Sequence, residues 1–262
     1  MERRPYNLGV SASIQYHSLP AIYDALMAGV PYSVWLARME RAARERGKQP
    51  QSVLDVACGT GTITELLYRR GYRPVVGFDI APGMIQIAQI KAKAKLYEIP
   101  YAVVDLAELD LGGQQFDWLV SIFDSLNYII EPVRLREGLR RLFAHAVPGG
   151  VLTFDMNGIY ALRHGLFTQH EKNGPIEHDW KSHWDEDEKL CRVEMDFWVT
   201  DPHTSTRRHF HETHLQRAYT LAEMKQWLEE AGWRQIEVFG NYGDRAPNSR
   251  SDRWLFVCEK PE

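Results

Sequence analysis

The chain has 262 residues, 44% of them hydrophobic and 25% charged, with a formal net charge of -4, enough for one large domain or a core domain with a smaller appendage. Its charges are interspersed and its longest basic clusters (Lys91, Lys93 and Lys95; Arg207 and Arg208) are short, which argues against a nucleic-acid partner and for a small one, uncharged or mixed in charge. Three scattered cysteines without C-x-x-C spacing argue against a disulfide framework or a cysteine zinc site. No apolar run is long enough for a signal peptide or a membrane span, so the expected setting is a reducing cytoplasm with no membrane partner.

The early stretch "YDALMAGVPYSVWLARMERAARERG" has helical spacing and many aromatics, and predicts a helical lead-in. Tyr23, Tyr32 and Trp35 there, with Tyr16 just ahead of the stretch, either fill the core of the lead-in or close over a ligand. From Ser52 to Met156, short apolar β-branched runs alternate with helical periodicity, the pattern of βα units around a parallel sheet. Strands are expected at Val53–Ala57, Pro74–Asp79, Tyr101–Asp105, Trp118–Phe123 and Gly150–Asp155. The helices between them stop near Gly71, Pro100 and the turn Pro148-Gly149-Gly150. Past Asn157, aromatics, histidines and charges alternate, and turn-like clusters at Asp185–Lys189 and Asp201–Ser205 divide the stretch into three antiparallel strands. Thr220 and Glu223 then stand at capping-box spacing ahead of a helix that ends on Gly232, and "RQIEVFG" and "RWLFVCEK" supply two final strands. The expected organisation is an N-terminal helical lid (1–50), an α/β core (51–156), an inserted antiparallel sheet (157–218), and a last helix with a β-hairpin returning to the core (219–262).

The chemistry is concentrated in "VLDVACGTGTITELL". Between a strand and a helix, Gly59 and Gly61 permit a backbone path that a Cβ resists and let a ligand approach the main chain. A dinucleotide fingerprint needs a third glycine where Thr64 stands, and no Lys-Ser/Thr follows for a phosphate loop. Three strand ends carry carboxylates instead: Asp55, Asp79 and Asp105. An acid at the second strand's tip can accept both hydroxyls of a ribose. Asp55 and Asp105 also read as caps of the segments that follow them. Asp124, Ser125, Asn127 and Tyr128 come after the fourth strand, where open α/β sheets gather ligands.

In order, "LDVACGTG", "GFDIAPGMIQIAQ", "VVDLAEL", "FDWLVSIFDSLNYI" and "VPGGVLTFDMN" resemble the ligand-binding segments of class I S-adenosylmethionine-dependent methyltransferases. The resemblance covers Val53 to Asn157. It implies a Rossmann-like seven-stranded sheet and S-adenosylmethionine as cofactor. Asp55, Ala57, Gly59 and Gly61 would shape the methionine side, with Ala57 a mild change where the family often has a glycine. Asp79 would hold the ribose beside Ile80 and Met84, and Asp105 the adenine amino group with Leu106 next to it. Phe123 and Asp124 would line the floor, and Tyr23 and Trp35 would close from the lid. The flanks, Tyr23 to Met27 and His214 to Tyr219, resemble a narrower group that includes glycine and amino-sugar N-methyltransferases. That implies methyl transfer to nitrogen or oxygen of a small molecule, with Tyr16, Asn127, Tyr128 and Arg217 as acceptor contacts, and admits a homodimer. Two other readings stay open: an NAD-dependent oxidoreductase on a similar fold, and a non-catalytic regulator that binds S-adenosylmethionine.

In "HFHETH", strand alternation puts His209 and His211 on one face and Glu212 and His214 on the other. A metal site would need a further convergent ligand. Glu212 and His214 together either remove a proton from the acceptor, with His214 as base, or form a buried polar pair inside the small sheet.

Overall fold

The computed structural model describes residues 16–46 and 49–262; the reading against a signal peptide falls on residues 1–15, outside the described residues. The aromatic lead-in is two helices, α1 (Pro20–Leu26) and α2 (Tyr32–Arg44), separated where Gly29 and Pro31 interrupt the helical pattern. The core then runs β1 (Val53–Val56), α3 (Thr62–Arg69), β2 (Val75–Asp79), α4 (Pro82–Ala94), β3 (Tyr101–Val103), β4 (Phe116–Ser121), α5 (Pro132–Ala144) and β5 (Ala146–Asn157). A short helix α6 (Ile159–Arg163) leads into the inserted strands β6 (Gln169–Asn173), β7 (Ile176–Asp185), β8 (Leu190–Thr200) and β9 (Arg207–Arg217), and α7 (Leu221–Ala231), β10 (Arg234–Gly240) and β11 (Arg253–Glu259) complete the chain.

The main sheet has seven strands in the order β10-β11-β5-β4-β1-β2-β3. Strands β1 to β5 pair in parallel, and β11 runs antiparallel to both neighbours. Strand order reverses between β1 and β4, which opens a crevice at their carboxyl ends. Every residue of β1 and β2 is buried, as expected of parallel strands covered on both faces. One face packs on α5 and α7 through Leu139, Leu142, Met224 and Leu228; the other packs on α2 and α3 through Leu36, Met39, Ile63 and Leu67. Helix α7 begins with the anticipated capping box and ends on Gly232 in the left-handed conformation.

Two expectations need correction. The triplet Pro148-Gly149-Gly150 lies within β5 rather than ahead of it. Gly149, at φ +68, donates its N–H to Lys260, and pairing with β4 shifts register between Phe116 and Trp118; turn residues are absorbed here as an irregularity in a continuing strand. The inserted sheet has four strands, β6-β7-β8-β9, rather than three. β6 reads "QHEKN" and is exposed along almost its whole length, so this polar edge strand carries no apolar alternation to detect. The inner face of the inserted sheet packs Cys191, Val193 and Phe197 on Leu19 and Leu162. No helix among the described residues is long and apolar enough to cross a membrane.

Candidate functional site

The loop leaving β1 takes the backbone path that its glycines suggest. Ala57, Gly59 and Gly61 all have positive φ, at 55, 54 and 78°. Ala57 thus keeps a glycine-like conformation at a cost of about 1–2 kcal/mol, and the loop's course is preserved. A Cβ on Gly59 would meet nothing within 4 Å, because it faces open space. Gly61 is held to glycine for a different reason. A Cβ there would stand 2.5 Å from the Tyr101 hydroxyl and 3.0 Å from Ala88, so internal packing makes the demand.

Two carboxylates close on this loop. Asp79, at the tip of β2, accepts the N–H groups of Gly59 (2.9 Å) and Ala81 (2.8 Å) and so ties the loop to the neighbouring strand. Asp55 is 2% exposed and accepts the Thr64 hydroxyl at 2.6 Å. Burial pushes the Asp55 carboxyl up to about 7, against the pull of that hydrogen bond. Asp79 is raised as well, again by burial, with the backbone donors of Ala81, Gly59 and Ile80 opposing.

Both carboxylates line a cavity at the carboxyl ends of the strands, together with Gly59, Ile80, Met84, Phe123, Tyr16, Tyr23, Tyr32 and Tyr128. Among the described residues, Asp55 and Asp79 are the acidic or basic side chains in this lining. Tyr16, Tyr23 and Tyr32 thus border the cavity. Trp35 does not line the cavity; it packs behind Phe123 at 5.8 Å and stacks on Tyr242 at 5.1 Å. Asp105 and Leu106 also lie outside the lining. The Asp105 carboxylate accepts Ala107 N–H at 2.8 Å and pairs with Arg134 at 2.8 Å, the cap reading of that residue, while Leu106 is buried in the core against Gly138.

The expected floor residues, Phe123 and Asp124, are held by partners that the sequence does not signal. Phe123 and Asp124 both adopt positive φ, 72 and 51°, an uncommon state for residues with a side chain. Asp124 is fixed by Gln216 and Arg253, each at 2.8 Å, and its N–H donates to Asp155. Arg253 also pairs with Asp155, which accepts the Tyr242 hydroxyl at 2.7 Å. Arg253 is some 130 residues from Asp124 in the chain, so no local motif joins them.

Two expected acceptor contacts are engaged elsewhere. Asn127 is fully buried, taking Asn157 N–H on its oxygen and donating to the Arg217 carbonyl, and the Arg217 side chain donates to Ile130. Their geometry serves to join the turn after β4 to β9, whereas Tyr16 and Tyr128 reach the cavity.

On β9 the alternation is as anticipated. His209 and His211 are on the exposed face against Asp196, while Glu212 and His214 are buried. His214 is 1% exposed, with Nε2 2.9 Å from Glu212 and Nδ1 3.2 Å from the Tyr128 hydroxyl. Tyr128 stands in the cavity lining and His214 does not, which replaces the expectation of a histidine facing the acceptor directly. Burial opposes the charge on Glu212, but His214 and the Ser18 and Leu19 N–H groups outweigh it and hold its carboxyl below the usual value. An ionised Glu212 accepts a proton-bearing Nε2, which leaves Nδ1 to accept from Tyr128.

The family model for a methyltransferase domain matches residues 53–150. A provisionally named methyltransferase of Geobacillus sp. (strain WCH70) is 32% identical, over 94% of this chain and 99% of its own length. The dTDP-4-amino-2,3,4,6-tetradeoxy-D-glucose N,N-dimethyltransferase of Saccharopolyspora spinosa is 29% identical over 90% of each chain. Among solved structures, an S-adenosylmethionine-dependent methyltransferase from Clostridium acetobutylicum ATCC 824 shares the fold, with a TM-score of 0.82 at 23% identity over 94% of this chain and 99% of that one. The nicotinamide and non-catalytic readings of the glycine turn give way to this likeness. The chain belongs to the S-adenosylmethionine-dependent methyltransferases.

Proposed function

We propose that the chain methylates a nitrogen or oxygen of a small molecule, with the cofactor in the carboxylate-lined part of the cavity and the acceptor beneath the tyrosines. The observation that carries this reading is the continuity of the two parts: Asp55, Gly59 and Asp79 share one cavity with Tyr16, Tyr23, Tyr32 and Tyr128. Open space beside Gly59 and two buried carboxylates fit a cofactor with vicinal hydroxyls and a cationic end. Asp79 holds the ribose hydroxyls, Asp55 and the loop at Gly59 hold the methionine end, and Ile80, Met84 and Phe123 pack on the apolar surfaces. When bound, S-adenosylmethionine supplies a methyl group activated by its sulfonium charge.

The work left to the protein is placement, worth up to about 7–11 kcal/mol when the reacting atoms are held in line. Among the described residues the cavity lining has carboxylates and aromatic rings but no Lys, Arg or His. It suits a neutral or cationic acceptor over an anionic one, and the amino-sugar relative supports an amine. An acceptor that arrives protonated passes its proton to the Tyr128 oxygen as the Tyr128 proton moves to His214 Nδ1. The resulting imidazolium keeps its Nε2–H on Glu212.

Calorimetry with S-adenosylhomocysteine, and mass detection of methylated products from an amine and phenol panel, test the two halves of this reading. Asp79→Ala should weaken cofactor binding by about 1.5–3 kcal/mol, the range for hydrogen bonds to a charged group. Unchanged affinity would remove Asp79 from the site.

A further inference from the structure

Glu212 has a second set of partners besides His214. One carboxylate oxygen accepts the backbone N–H groups of Ser18 (2.7 Å) and Leu19 (2.9 Å); the other accepts Tyr16 N–H (3.0 Å) together with His214 Nε2. Four donors converge on a side chain that is 4% exposed. The three backbone donors belong to the segment entering α1, the short helix that carries Tyr23 over the cavity, and Tyr16 itself lines that cavity. Farther along α1, Asp24 accepts the Thr60 hydroxyl at 2.5 Å and pairs with Lys91 at 2.6 Å, which fastens the helix to the glycine loop and α4.

We infer that Glu212 is a positioning residue for the cofactor: through it the inserted sheet holds segment 16–19, and with it Tyr16 and Tyr23, over the occupied cavity. The inference rests on the cofactor lying in that cavity, as proposed above. α1 has seven residues, too few to be stable as an isolated helix, so its place is set by what grips it. N–H groups at and before a helix start have no intrahelical acceptor. Here one buried carboxylate satisfies three of them. Without it those groups turn to water, which favours an open roof. Opening precedes both entry and escape of a ligand, but a bound ligand that touches Tyr16 and Tyr23 adds to the hold on the closed roof, so the latch acts chiefly on the dissociation rate. The inserted sheet then serves the cofactor side as well as the acceptor side.

The test uses S-adenosylhomocysteine as the probe, with stopped-flow binding and amide hydrogen exchange. Glu212→Gln, which cannot accept on both side-chain positions, should dissociate the probe about tenfold faster, with association changed less than about twofold. Asp196→Asn, on the exposed face of the same sheet, should leave both rates unaltered. In the unsubstituted protein, where no variant has to fold, saturating probe should slow exchange at the Tyr16, Ser18 and Leu19 amides. An unchanged dissociation rate in Glu212→Gln, or exchange at those amides that ignores bound probe, overturns the latch while leaving the cofactor site in place. Failure of the unsubstituted protein to bind the probe overturns the cofactor assignment and the latch together.

Discussion

Thr64 donates its hydroxyl to the Asp55 carboxylate at 2.6 Å, and both side chains are shut away from water. The hydrogen bond favours the charged carboxylate, but burial prevails and places the Asp55 pKa at about 7. Because the folded value exceeds the unfolded one, the native state binds the extra proton. Stability from this group is full below the unfolded carboxylate pKa of about 4 and is lost as pH rises through about 7. A cationic ligand end selects the ionised form, so S-adenosylhomocysteine affinity should fall as pH drops below about 7, with proton release on binding. Calorimetry in buffers of different ionisation enthalpy measures that release, and Asp55→Asn should abolish it. Equal proton release in the variant would assign the linkage to another group.

Ala57 holds a left-handed backbone at φ 55°, the conformation that costs a residue with a Cβ about 1–2 kcal/mol. Ala57→Gly removes that strain but loosens the unfolded chain. The net expectation is a gain of about 0.5–1 kcal/mol in denaturant unfolding, with cofactor affinity retained. A loss of stability would mean that the methyl group of Ala57 packs more favourably than its backbone is strained.

Tyr128 and His214 should act as one unit if the proton path proposed above operates. His214→Ala and Tyr128→Phe should each lower turnover at least about tenfold, with the defect shrinking at high pH where the acceptor has already lost its proton. The double variant should be little worse than either single one, since each breaks the same path. Independent, multiplying defects would separate the two residues, and full activity of His214→Ala would leave the histidine a buried structural partner of Glu212.

Arg253 is 15% exposed and bonds two buried carboxylates, Asp124 and Asp155. Arg253→Ala leaves both without their cation, and breaking a buried pair in this way typically costs about 3–5 kcal/mol. Because Asp124 follows Phe123 in the left-handed turn of the cavity floor, cofactor affinity should fall together with stability. Calorimetric melting and titration on one preparation measure both, and intact affinity in a destabilised variant would detach the turn from the site.

The order of βα units, the capping box at Thr220 and the acids at the ends of β1 and β2 are legible in the chain because each is a local pattern: hydrophobic period, cap spacing, a glycine turn after an apolar run. The same locality explains why alternation alone placed Glu212 and His214 together on one face of β9, opposite His209 and His211. Partners that come from distant segments carry no such local pattern. Asn127 and Asp105 occupy positions from which a side chain could meet a ligand, but their partners, Asn157 and Arg134, lie about 30 residues away. Gly61 looks like a ligand contact until the ring of Tyr101 is beside it.

By itself the sequence determined the fold class, which follows from short-range periodicity, and the cofactor through the resemblance of its ordered motifs to a known family. Only the tertiary structure decided which polar groups are left for a ligand. Glu212 is spent on backbone donors some 195 residues earlier in the chain, Tyr128 comes between His214 and the cavity, and Arg253 reaches Asp124 from the last strand. A hydrogen-bonding group can serve only the few partners its lone pairs and protons allow, and in a buried site those partners are set by packing between distant segments.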